Sequence, residues 1–356
     1  MQPEKAVRAG VRLGRASSAE LTSQRSTLSR RLQSFTRRVS QAATSLLLPF
    51  SSRLDWRAPS GARHANRGSV AARLDDIRQT VDLLLQRCDS LLQQRCVELN
   101  ERDMLVRTPD GWLLVPKEDE ALLAVMLEGG VLEPGTRRVL TSLLHDGDTM
   151  VDVGANIGLL CLPAARSVGA GGRVLAFEPV PRLAQLLERS MHLNFVSDQV
   201  RVRQAACGDR AGSARLHVGR ILGHSSLLPL DAARETIDVP LEMLDDQISP
   251  GSRVAVVKLD AEGYELPVWR GMRRVLNENA ELCVIVEFGP SHLQRAGVSI
   301  AAWLDEFRAG GFGIYEIDER GGVCSPLRSR GLEDVVSLNL LLLRRPPSDY
   351  PTLEFA

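Results

Sequence analysis

The segment KLDAEGYE places Lys258, Asp260, Glu262 and Glu265 within eight residues, directly after the apolar run VAVV. A sheet core does not hold charge at this density without a partner or a ligand. With the period of two of an extended chain, Lys258, Asp260 and Glu262 face one side for as long as the strand persists. Gly263 then lets the chain turn close to a ligand. Carboxylates at such a strand tip can bind a substrate hydroxyl or accept its proton. Asp260 and Glu262 are the catalytic candidates, and Glu287, at the end of VIVEF, can join them. The same residues fit two other readings. One is a salt-bridged strand end, with a Lys258–Glu pair anchoring the loop. The other is a divalent cation held by carboxylates at adjacent strand tips, a reading not favoured here, so no metal ligand is assigned. His224 in GHSSL (223–227), flanked by Ser225 and Ser226, is a further candidate base, although a lone loop histidine is usually just solvated. His192 and His217 have less support.

A second constellation lies upstream. VDVGANIG (151–158) reads as a buried strand running into a glycine turn, with Gly154, Asn156 and Gly158 as its key positions. The dinucleotide pattern G-x-G-x-x-G is not met, because the middle glycine that lets backbone approach a pyrophosphate is missing. Asp152, inside the strand, would repel pyrophosphate and attract an ammonium or a sulfonium. Glu178, at the tip of LAFEP, lies 26 residues after Asp152, near the distance at which such folds set an acid on ribose hydroxyls. Asp152, Gly154, Asn156, Gly158 and Glu178 are therefore the cofactor-binding candidates, and S-adenosyl-L-methionine fits them better than NAD.

These residues need a scaffold that brings strand ends together. From residue 149 onward, strands rich in Val, Ile and Leu alternate with helical stretches: TMVDVG, RVLAFEP, QVRVRQAACG, SRVAVVKLDAEG and ELCVIVEFGP are the strands. The chain closes with FGIYEIDERGG and VVSLNLLLLRR, two strands in hairpin style. Near-continuous apolar strands joined by helices predict an α/β fold with a mostly parallel sheet covered on both faces. Ligands then belong at the carboxyl ends of the strands. Ahead of this domain (146–345), residues 101–145 read as strand, Pro-Asp-Gly turn, strand and two helices.

In order, DGDTMVDVGANIG, LAFEPVPRLAQLL, MHLN, LEMLDD and VVKLDAEGYELPVWRGM resemble the signature blocks of FkbM-type methyltransferases. The resemblance covers about residues 130–320. It implies a Rossmann-like seven-stranded sheet and an S-adenosylmethionine-dependent O-methyltransferase. The acceptor it implies is a hydroxyl of a sugar, glycan or other secondary metabolite. The family usually has an Asn near the position of Ser190; here only Asn194 is present.

The formal net charge is zero, which points away from a nucleic-acid partner, but residues 1–73 hold 14 Lys/Arg against 3 Asp/Glu. Residues 1–69 read as a disordered basic tail, and weak contact of that tail with an anionic membrane surface is a further expectation. Residues 70–100 read as an amphipathic helix striped by Leu74, Ile77, Val81, Leu84, Cys88 and Leu91. The stripe suits either packing on its own domain or a short coiled-coil seam in a homodimer. The six cysteines show no CxxC or zinc spacing and read as reduced thiols of a cytoplasmic protein. Two other classes compete with the enzyme: a non-catalytic Rossmann-like interaction module and an NAD-dependent oxidoreductase. The intact turn and the charged strand tip oppose the first, and the missing glycine opposes the second.

Overall fold

The computed structural model describes residues 95–231, 233–328 and 331–356. The basic tail and most of the amphipathic helix lie outside the described residues. The last part of that expected helix is corrected: Cys96–Glu98 is a short strand, β1, which pairs antiparallel with β2 (Asp103–Thr108). The apolar stripe ends before this point, and the extended partner β2 supplies the backbone hydrogen bonds a helix would otherwise make internally.

β2 turns through Pro109 and Asp110 into β3 (Gly111–Pro116), as the Pro-Asp-Gly signal requires. Thr108 Oγ1 accepts from the N–H groups of both Asp110 and Gly111 and closes the turn. Helices α1 (Glu120–Glu128) and α2 (Pro134–Leu143) follow. The side chain of Asp119 caps α1 by accepting from Leu122 N–H. α2 has no such residue of its own. Glu319, from far along the chain, accepts from the N–H groups of Gly135 and Thr136 at its N-terminus.

The main sheet begins with β4 (Thr149–Val153), α3 (Cys161–Val168), β5 (Arg173–Phe177), α4 (Pro181–Leu193) and β6 (Val200–Arg203). After β7 (Ala206–Cys207), β8 (Gly212–Val218), β9 (Glu235–Glu242) and the single-turn α5 (Leu244–Gln247), it resumes with β10 (Val256–Leu259). Next come α6 (Glu265–Arg270), α7 (Arg273–Glu278), β11 (Cys283–Phe288), α8 (Pro290–Ala296) and α9 (Ile300–Ala309). β12 (Gly313–Ile317), β13 (Cys324–Pro326) and β14 (Leu338–Leu343) close the fold.

The strand order is β13-β12-β14-β11-β10-β4-β5-β6. The five strands from β11 to β6 run parallel, and β14, β12 and β13 are antiparallel to their neighbours. The sheet is thus the predicted mostly parallel Rossmann-like one, with β13 as an eighth strand of three residues at the edge. Order reverses between β4 and β10, so the switch point lies where Asp152 and Lys258 stand side by side in register. Two apolar clusters, one on each face, account for the unbroken Val/Ile/Leu strands. The expected third strand is interrupted: β6 stays in the main sheet, whereas β7 leaves it to pair with β9 in a small sheet of order β7-β9-β8.

The β1–β2–β3 sheet is tied to the main domain by α4. Asn194 Oδ1 accepts from Trp112 N–H at 2.9 Å, its Nδ2 donates to Trp112 O at 2.6 Å, and Ser190 Oγ accepts from Leu114 N–H at 3.0 Å. Both side chains are buried and satisfy the backbone edge of β3, which would otherwise lack partners. Ser190, where the family usually carries Asn, is thus one half of this seam.

Candidate active site

The carboxyl ends of β4, β5, β10 and β11 open into a cleft of about 290 Å³. Asp152, Gly154, Asn156, Glu178, Asp260, Glu262 and His224 all line it, so both predicted constellations meet in one cavity. Gly158 stands behind the turn and packs on Leu187 and Met191 of α4.

On the β4–β5 side the backbone dictates the residues. Gly154 has φ +83°, and a Cβ there would lie 1.9 Å from the carbonyl oxygen of Asp260. Only glycine allows β4 and β10 to diverge so closely at this point. Asn156 also adopts a left-handed conformation, with φ 51°. The N–H of Asn156 donates to Glu178 Oε2 at 2.8 Å, and the N–H of Val180 donates to Glu178 Oε1 at 2.8 Å. The helix expected directly after the turn begins only at Cys161. Burial raises the Glu178 carboxyl to about 7 against the opposing pull of these two N–H groups. Asp152 is buried within β4, accepts from the Cys161 thiol at 3.1 Å, and is raised by burial to about 6.

On the β10–β11 side, Lys258 is only 1% exposed and its Nζ lies 3.0 Å from Asp260 Oδ2. Burial disfavours its ammonium, but Asp260, Glu133 and Glu287 outweigh that effect and raise its pKa. The partner of Lys258 is therefore Asp260, not the Glu of the expected salt-bridged pair. Burial pushes Asp260 up, whereas Lys258 and a hydrogen bond from Glu287 hold it below the usual carboxylate range. Glu287 is raised by burial and by the Asp260 charge, as expected of a carboxyl sharing a proton with a neighbour. Glu133, at φ 52° between α1 and α2, reaches the same cleft, and burial raises it too.

Asp260 still lies in line with Lys258, but β10 ends at Leu259 and Glu262 stands in a left-handed turn at φ 51°. That turn is built by Glu265, the last charge of the motif. It is buried and accepts from the N–H groups of Ala261 and Gly263, so its part is to shape the loop. Ser226 is likewise structural: its hydroxyl donates to the Glu262 carbonyl at 2.8 Å. Ser225 donates to the Leu222 carbonyl at 2.7 Å. His224 is exposed at the rim, in a single 3-10 turn. His217 and His192 are not among the lining residues.

Sequence reasoning missed His292. It lies in the first turn of α8, with Nε2 3.1 Å from Glu262 Oε2 and Nδ1 3.6 Å from Glu287 Oε2. Arg295, one turn on, lies 3.6 Å from the same Glu262 oxygen. The available signal was a histidine five residues after a strand-tip glutamate, across a Gly-Pro break that must bring the chain back over the sheet end. Glu133, marked only by the Pro-Gly that follows it, was missed as well.

A Rossmann-like sheet with its acid-lined cleft at the switch point defines the class of this protein. Residues 152–314 match the family model described as Methyltransferase FkbM domain. Methyltransferase sdnD of Sordaria araneosa is 28% identical over 177 residues, covering 41% of this chain and 68% of that protein. Protein-L-isoaspartate O-methyltransferase 2 of Arabidopsis thaliana is 31% identical over 139 residues, covering 37% of this chain and only 40% of that protein. Among solved structures, a SAM-dependent O-methyltransferase of Thermotoga maritima is similar with a TM-score of 0.35 at 13% identity, covering 68% of this chain and 77% of that one. Among the described residues, no helix is long and apolar enough to cross a membrane.

Proposed function

We propose that the protein is an S-adenosyl-L-methionine-dependent O-methyltransferase acting on a hydroxyl of a sugar, glycan or secondary metabolite. The observation that carries this reading is the meeting of two acid sets in one cleft: Asp152 and Glu178 beside the glycine turn, and Asp260, Glu262 and Glu287 opposite. The donor-side residues fit S-adenosylmethionine. Gly154 lets the turn pass directly against the Asp260 carbonyl beneath the cleft, Asp152 suits an ammonium, and Glu178 retains lone pairs for ribose hydroxyls after accepting two backbone N–H groups. When bound, the cofactor supplies the methyl group on a positively charged sulfur. A cleft edged with carboxylates favours such a cation over pyrophosphate.

The chain's own task is to hold an acceptor oxygen in line with that methyl and to take its proton. Asp260, kept charged by Lys258, is placed to accept the proton, with Glu262 as hydroxyl ligand and His224 at the rim toward solvent. The hydrophobic walls, including Leu122, Leu132, Leu160 and Phe177, exclude water from the donor side. The test is an untargeted acceptor screen with methyl-labelled donor. Label should appear on oxygen of a hydroxylated small molecule or glycan, with turnover at least a hundredfold lower in Asp260→Asn. Near-normal turnover in both Asp260→Asn and Glu262→Gln would overturn the residue assignment, and label on carbon or nitrogen would overturn the acceptor class.

A further inference from the structure

The acceptor side of the cleft holds more negative charge than its own cations offset. Glu133, Asp260, Glu262 and Glu287 converge there, against the cations Lys258 and Arg295. The acids outnumber those cations four to two. Burial makes that excess costly unless a cation or protons answer it.

The geometry localises the excess. His292 Nε2 lies 3.1 Å from Glu262 Oε2, and a proton on Nε2 would leave a lone pair on Nδ1. Nδ1 faces Glu287 Oε2 at 3.6 Å, and both atoms are buried with no hydrogen-bond partner. With the proton on Nε2, two acceptors point at one another, and a cation or a proton between them would satisfy both. One donor atom each from Glu262, Glu287 and His292 lies within 4.8 Å of the others. Donors bound at about 2.1 Å to one cation stand roughly 3.0–3.4 Å apart, so side-chain rotations of about an ångström would close the set. The imidazole itself is cradled: a Cβ on Gly289 would come within 2.9 Å of Nδ1, so the ring sits where only glycine admits it.

We propose that Glu262, Glu287 and His292 bind one divalent transition-metal cation. Two carboxylates with one imidazole suit Mn2+ or a similar ion better than Mg2+ or Ca2+, which prefer all-oxygen shells. Beside Asp260, the cation would meet the acceptor hydroxyl and lower its pKa, so that proton loss to Asp260 precedes methyl transfer. That catalytic part rests on the O-methyltransferase reading; the binding of the ion does not.

The experiment is therefore a titration of the chelator-stripped full chain with Mn2+ alone, with no donor or acceptor, followed by loss of the free-ion EPR signal. One equivalent should bind, and His292→Ala and Glu287→Gln should each weaken binding at least tenfold. His217→Ala, outside the cleft, should not. Thermal melts of each variant report folding. If His292→Ala does not fold, the milder His292→Gln takes its place. Absence of stoichiometric binding, or binding that survives both His292→Ala and Glu287→Gln, overturns the site. Calorimetry with S-adenosylmethionine on the same samples separates the two readings: donor binding without Mn2+ binding defeats only the metal, and Mn2+ binding without donor binding defeats only the methyltransferase.

Discussion

The Glu178 carboxylate and the Asn156 N–H are 2.8 Å apart, and that bond fixes the tip of β5 to the glycine turn of β4. The acid expected to bind a ribose is therefore also the bracket that holds the turn in shape. Glu178→Gln keeps an acceptor oxygen for only one of the two N–H groups. It should weaken S-adenosylmethionine binding at least tenfold by calorimetry, with a smaller loss of thermal stability. Unchanged affinity would remove Glu178 from the cofactor site.

The same carboxyl sets a pH dependence. Its ordinary value of 4.5 rises to about 7 in the fold because burial disfavours the charge. Between those values the folded state binds more protons than the unfolded one, so stability falls as pH rises. The unliganded protein should lose melting temperature between pH 5 and 7.5, and Glu178→Gln should flatten the slope. Because a ribose hydroxyl donates best to the ionised form, donor affinity should rise by up to about tenfold from pH 6 to pH 8. A flat melting profile shared by both proteins would contradict the burial argument.

Gly154→Ala tests the backbone rather than the charge. The added methyl would meet the Asp260 carbonyl at 1.9 Å, at a φ of +83° that alanine tolerates poorly. A loss of about 2–4 kcal/mol in unfolding free energy is expected, with donor binding undetectable, measured by denaturant titration and calorimetry.

Much of this site was legible because strand tips advertise it. Asp152 lies near the carboxyl end of a strand and Glu178 and Asp260 directly follow one, and in a parallel sheet such ends converge. What was not legible depends on chain paths between elements. His292 and Glu133 reach the cleft through turns whose direction no local periodicity encodes. The β8–β9 hairpin was missed because GSARLHV and ETIDVPLE alternate weakly, with half-exposed faces. Glu265 counted only toward the charge density of its segment, and its bonds to Ala261 and Gly263 make it a loop former; charge alone does not tell a ligand from a bracket. The end of the 70–100 helix failed because pairing with β2 decides the state of Cys96–Glu98.

Asn194 offers a stability test away from the chemistry. Its amide makes both bonds to Trp112, and both are part-buried. Asn194→Ala leaves the half-buried N–H and C=O of Trp112 on β3 without that partner and should cost about 1–3 kcal/mol. The wild-type donor affinity should be kept at temperatures where the variant stays folded.

Lys258→Met removes the buried cation among Asp260, Glu133 and Glu287. Breaking a buried pair from one side typically costs about 3–5 kcal/mol, so this variant should be less stable than Asp260→Asn by melting temperature. The reverse order would show that Lys258 is not the counter-charge of the cleft.

The most direct measurement is calorimetry of the full chain with S-adenosylmethionine and, separately, with NAD. The account predicts saturable binding of S-adenosylmethionine at one equivalent, abolished by Gly154→Ala, and no heat with NAD. Binding of NAD, or of neither ligand, would contradict it.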